Sequence, residues 1–173
     1  VWQSAGNTVP SRATILAMPY LIDGHNVIGQ TPGLSLDDPD DEVKLILLIR
    51  RHCMREKRKA TVIFDGGLPG GVSGLSTSDV TVIFASDRHT TADDLIIKRI
   101  EAERNPSGLI VISSDQKIVA AAKQRQMAVR PSAEFGRLLV HRPASTGAPE
   151  KERGLTQGEL AEWEDLFKRG KSS

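Results

Sequence analysis

The 173-residue chain is 39% hydrophobic and 26% charged, proportions of a soluble globular domain with tails. A formal charge of +1 gives no overall warrant for nucleic-acid binding, aromatics at 4% are too few for a broad base-stacking platform, and the single Cys53 excludes an internal disulfide and any cysteine-rich zinc site. No apolar run reaches the roughly 18 residues of a membrane span and no basic start with an apolar core marks a signal peptide, so the expected setting is cytoplasmic.

Residues 1–17 precede Met18 and read as an N-terminal extension or a disordered arm. Tyr20-Leu21-Ile22 is a short buried strand that stops at Asp23-Gly24. A loop rich in Gly, Pro and Asp follows, and then a helix over about 40–57. Its acidic start and basic end both complement the helix dipole. The runs ATVIF at 60–64 and VTVIF at 80–84 are the second and third strands, separated by a Gly- and Ser-rich loop. Thr91 is a good N-cap for a helix to about 104, with Asp93 and Asp94 in its first turn. LIVI at 109–112 is a fourth strand, followed by Ser113-Ser114-Asp115 and a helix to about 126. A fifth strand spans 127–129, and Ser132 caps a short helix ending near 140. Alternating strands and helices with continuous apolar strand runs predict one domain over 18–141, a parallel sheet covered on both faces. A polar linker follows at 142–154. Thr156 and Glu159 form a capping-box pattern that opens a C-terminal helix over 155–169, with Leu160, Trp163 and Phe167 on one side.

Carboxylates recur where strands end: Asp23 after YLI, Asp65 after VIF and Asp115 after LIVISS, with Asp93 and Asp94 at a helix start. In an open α/β sheet, ligands bind outside the carboxyl ends of the strands, near the point where strand order reverses. Four segments would therefore deliver acids to one rim. Crowded carboxylates take up protons unless a cation neutralises them, and a hard ion such as Mg2+ or Mn2+ suits oxygen ligands. Each of these aspartates also fits a plainer role as turn former or helix cap. Asn26, three residues after Asp23, can orient it, reach a phosphate or satisfy loop backbone. Ser113 and Ser114 are plausible supports at the same rim, while Thr91 reads best as a plain cap.

The segments Leu21-Ile22-Asp23-Gly24-His25-Asn26-Val27-Ile28-Gly29, Val62-Ile63-Phe64-Asp65-Gly66, Thr91-Ala92-Asp93-Asp94, Ser113-Ser114-Asp115 and Ser132-Ala133-Glu134-Phe135, in that order, resemble the YacP-like branch of the NYN domain, within the wider group of PIN-like nucleases. The resemblance spans about 19–140. It implies a three-layer α/β/α sandwich with a central, mostly parallel sheet, and metal-dependent endoribonuclease activity. It implies a metal-binding core of Asp23, Asp93 and Asp115, with Asn26, Asp65 and Asp94 accessory; of the adjacent pair, Asp93 is favoured. His25 stands where a tyrosine is usual, replacing a stacking group with a titratable one.

The histidines are scattered, with no pair at metal-ligand spacing, and Cys53 reads as packing. His25 and His89 are candidates for the rim. Arg50, Arg51, Arg55, Lys57, Arg58 and Lys59 concentrate positive charge at the end of the first helix, where they can hold RNA phosphates or simply complement the dipole. The leading expectation is an endoribonuclease using Mg2+ or Mn2+, with RNA as partner. Its rivals are a non-catalytic RNA- or ribosome-binding module of the same fold, and a phosphohydrolase acting on a small metabolite.

Overall fold

The computed structural model describes residues 18–66, 74–85 and 90–141. The expected extension at 1–17, the linker at 142–154 and the helix at 155–169 lie outside the described residues, as does His89.

In chain order the elements are β1 (Tyr20–Asp23), α1 (Gly24–Ile28), α2 (Asp41–Glu56), β2 (Ala60–Asp65), β3 (Val80–Ala85), α3 (Ala92–Ala102), a 3-10 turn (Pro106–Gly108), β4 (Ile110–Ile112), α4 (Gln116–Gln124), β5 (Ala128–Arg130) and α5 (Ser132–Val140). The strands form one sheet in the order β3-β2-β1-β4-β5, and every pairing is parallel.

Alternation along the strands builds a core on each face. Tyr20, Ile22, Val62, Phe64, Val82 and Ile112 meet Val27 and Ile28 of α1, Leu45, Ile46 and Ile49 of α2, and Phe135 and Leu139 of α5. Leu21, Ile63, Ile83 and Val111 point the other way, onto Ile96 and Ile100 of α3 and Ile118 and Ala122 of α4. The result is the expected α/β/α sandwich. Its strands are apolar on both faces because both faces are covered. Burying one such Ile or Val contributes about 1.5–3 kcal/mol, so the two layers together hold the sheet. Among the described residues no helix is long and apolar enough to cross a membrane.

Three local expectations are corrected. The segment after β1 is not loop from its start: Asp23 caps the five-residue α1 by accepting the Asn26 backbone N–H at 3.3 Å, and Val27 and Ile28 are fully buried. Ser132 is not a cap; Pro131 occupies that position and Ser132 is the first helical residue of α5. Arg58 is not part of an exposed basic cluster. Lys57 ends α2 in a left-handed conformation, φ 50°, and the chain turns Arg58 inward to 5% exposure. Its guanidinium lies 4.3 Å from the centroid of the Tyr20 ring, and Nη1 donates to the Met18 carbonyl at 2.8 Å.

Candidate active site

Strand order reverses at β1: β2 and β3 extend to one side of it, β4 and β5 to the other. Ile22 stands beside Ile112 in register, so the next residues, Asp23 and Ser113, emerge together at the carboxyl edge of the sheet. Ser113 Oγ donates to Asp23 Oδ2 at 2.8 Å, and Asp23 is only 6% exposed. Burial raises the Asp23 pKa above the ordinary carboxylate range. The bonds from Ser113 and Asn26 pull it partly back, and the charges of Asp93 and Asp115 push it up again.

The other acids converge on the same edge in distinct roles. Asp115 caps α4, with Oδ1 accepting from the N–H groups of Lys117 (2.8 Å) and Ile118 (3.3 Å), while its own N–H donates to Ser113 Oγ at 3.0 Å. One hydroxyl thus ties the segment carrying Asp23 to the segment carrying Asp115. Asp93, in the first turn of α3, has its pKa raised by partial burial and then by the charges of Asp115 and Asp65, with Lys117 opposing. Asp94 has a different task. It forms a reciprocal capping box with Thr91, and those hydrogen bonds lower its pKa. Thr91 is therefore the cap that the sequence suggests. Asp65 Oδ1 accepts the Ala92 N–H at 2.7 Å, fastening the start of α3 to the end of β2.

These acids do not make a ready-built cage. Among the described residues, no group of three His, Cys, Asp or Glu side chains is placed to hold a metal ion. The rim is a set of charge-coupled carboxylates rather than a closed ligand shell.

Asn26 is a structural hub. Its Oδ1 accepts the Ser114 N–H at 2.9 Å and the Ser132 hydroxyl at 2.6 Å, and the Ser132 N–H donates to Ser114 Oγ at 3.0 Å. Sequence reading missed Ser132 in this role. The available signal was its position two residues after a strand end, the same as that of Ser114. It also missed the pairing of His25 Nε2 with Glu42 Oε1 at 3.2 Å. That contact raises the His25 pKa, against the opposing effect of burial. The Asp65 N–H donates to His25 Nδ1 at 3.3 Å, which assigns the ring proton to Nε2 in the neutral form.

The basic residues lie at the other end of the sheet. Lys59 immediately precedes β2, and its carbonyl accepts the N–H of Tyr20 at the start of β1. The six residues of β2 separate that edge from the acidic one by roughly 20 Å. Arg51, Arg55, Lys57 and Lys59 flank it, and Arg50 is half-buried. Cys53 is buried, and burial pushes its thiol pKa up to about 11, as befits a packing residue.

A parallel three-layer sandwich with carboxylates gathered where its strand order reverses is the frame of a ligand-binding α/β domain. The sequence model of the YacP-like NYN domain matches residues 20–163, and the chain belongs to that family, one of PIN-like nucleases. Two crystal structures of Rae1 (YacP) from Bacillus subtilis share the fold. One superimposes with a TM-score of 0.56 at 22% identity, covering 88% of this chain and 81% of the other. The second, of a point mutant, gives 0.55 at 21% identity, with coverage of 70% and 74%. No curated protein sequence matches the chain.

Proposed function

We propose that the protein is a metal-dependent endoribonuclease that hydrolyses RNA phosphodiester bonds with a metal-activated water. The observation that carries this reading is the gathering of Asp23, Asp93 and Asp115 at the carboxyl edge of the sheet, where Ser113 joins the first to the backbone of the third and the charges of Asp93 and Asp115 help to raise the Asp23 pKa. Each acid sits near others at a cost in charge repulsion that a cation would relieve.

An all-oxygen donor set fits Mg2+ or Mn2+. Mg2+ in particular is commonly held by one or two carboxylates, with waters and substrate phosphate filling the remaining positions, so it does not need three direct protein ligands. Asp23, Asp93 and Asp115 would hold the ion directly or through its waters. When bound, such an ion lowers the pKa of a water and stabilises charge on the departing oxygen. The chain's own residues supply the frame. Ser113 fixes Asp23 and the backbone of Asp115, while Asp65 fixes the start of α3 that carries Asp93. Asp94 serves as a cap. Arg50, Arg51, Arg55 and Lys59 would anchor RNA phosphates away from the reacting bond.

Incubating the purified chain with structured and unstructured RNA, with Mn2+ and with EDTA, tests the reading. Cleavage should need the metal and fall about 100-fold or more in Asp23→Asn. Asparagine is as good an N-cap as aspartate and removes a buried charge, so that variant should fold. Cleavage undiminished by EDTA would overturn the mechanism. Salt-sensitive RNA binding without turnover under any divalent ion would instead favour a non-catalytic RNA- or ribosome-binding module, the reading supported by the basic edge. Turnover of nucleotides but not of RNA would favour a small-molecule phosphohydrolase.

A further inference from the structure

The acidic edge contains a second hydrogen-bonded unit beside the one joining Asp23, Ser113 and Asp115. Asn26, Ser114 and Ser132 come from α1, the β4–α4 loop and α5, and they close a ring: Ser132 bonds both to Asn26 Oδ1 and to Ser114 Oγ, and the Ser114 N–H bonds Asn26 Oδ1. Ser132 is fully buried, so water does not compete for its hydroxyl. Ser114 lies between the two residues that connect to Asp23, one by side chain and one by charge.

The ring also has a packing support. One turn along α5, Gly136 lies against the exit of α1: a Cβ at this position would stand 2.6 Å from Thr31 Oγ1 and 2.9 Å from its Cα. Only a residue without a side chain lets α5 approach so closely. Thr31 Oγ1 in turn donates to the Val27 carbonyl of α1 at 2.7 Å. The start of α5 is thus pressed onto α1, with Ser132 at the contact.

We infer that Ser132 is a positioning residue: its buried hydroxyl ties α5 to Asn26 of α1 while its N–H ties α5 to Ser114, and the pair holds the Ser113–Asp115 loop against α1 and so sets the spacing between Asp23 and Asp115. The clamp has something to oppose. Asp23 and Asp115 carry like charge at this edge and push each other apart. The bonds that Ser132 makes go to Asn26 and Ser114 rather than to the acids, so its action is indirect. This inference rests on the proposed metal-dependent reading for its functional readout, but not for its structural one.

The test compares the wild-type chain with Ser132→Ala, Asn26→Ala and the double variant. Mn2+ affinity by titration calorimetry, turnover at saturating RNA and backbone amide NMR shifts are measured for each. Ser132→Ala should weaken Mn2+ binding and lower kcat by about 10-fold or more with KM for RNA little changed, as for outer-shell partners of metal ligands. The double variant should lose little beyond Asn26→Ala, since both substitutions break the same hydrogen bond. The Ser114 and Asp115 amides should shift while those of β2 and β3 stay in place. Wild-type Mn2+ affinity and kcat in Ser132→Ala, or a loss confined to thermal stability, would overturn the inference. If the wild-type chain neither binds Mn2+ nor cleaves RNA, the nuclease reading fails by itself. The amide shifts then decide the clamp: unmoved Ser114 and Asp115 signals in Ser132→Ala refute it.

Discussion

Single side chains in this molecule show how burial and charge trade against each other, and His52 is the plainest case. The ring is packed between Tyr20 and Phe135, with centroids at 6.0 and 5.6 Å, and is 6% exposed. Arg55 Nη2 bonds its Nδ1 at 3.0 Å, whereas Nε2 is buried with no hydrogen-bond partner among the described residues. Burial lowers its pKa to about 4, aided by the positive charges of Arg55, Arg58 and Arg130 and opposed by Glu56. An unfolded chain protonates this histidine near 6.5, so between pH 6.5 and 4 the unfolded state binds more protons than the folded one. Stability should therefore fall as pH drops through that window, by at most about 3 kcal/mol. Urea unfolding of wild type and His52→Leu across that range checks it: the difference between the two should change with pH, and a constant difference would mean the ring does not titrate in this way. Asp23 has the opposite sense. Its raised pKa means that the folded state holds the proton more tightly, so its charge works against folding once pH rises through that value.

At the scale of elements, the strands are legible in the sequence because continuous apolar runs ending on polar residues have few other readings. The carboxylates at the strand ends are legible for the same reason, and so is the Thr91 cap. Hidden from sequence are features decided by partners far along the chain. α1 is five residues long and begins with glycine, so local propensity argues for a turn. What holds it is the Asp23 cap together with Phe64, whose ring lies where a Gly24 side chain would be: a Cβ there would collide with Cε1 and Cδ1 of that ring. Gly24→Ala should consequently lower stability by about 1–3 kcal/mol through overpacking, although alanine is the better helix former. Denaturant midpoints decide this; an unchanged or raised midpoint would show that Phe64 can give way freely. Arg58 is likewise unreadable from its neighbours, since its inward course depends on one left-handed residue at Lys57 and on a ring near the start of β1. Ser132 has the local signature of an ordinary cap, and the partners that give it another role stand 18 and 106 residues away.

Across the whole molecule, a formal charge of +1 conceals a marked separation of sign. In a parallel sandwich all strands point one way and the connecting helices run back. Acids at helix starts therefore gather with the strand ends, and bases at helix ends gather opposite them. Arg51, Lys59, Arg104, Lys123 and Arg125 are exposed at that second edge, while Asp23, Asp65, Asp93 and Asp115 mark the first. RNA held through the basic edge should bind with strong salt dependence. Replacing Arg51 and Lys59 with glutamine should reduce the slope of log affinity against log salt by about 0.7 for each phosphate left without its cation. Fluorescence anisotropy over a salt series measures it, and an unaltered slope would remove this edge from the RNA path. The position of β1 has a further consequence for synthesis. Because β1 pairs with β2 on one side and β4 on the other, a growing chain that has not yet reached residues 110–112 has nothing of its own to pair with that second flank. Such a bare flank invites association with other nascent chains. The insertion that covers it also delivers Ser113 and Asp115 to Asp23, so protection from aggregation and assembly of the acidic edge are completed by one and the same event.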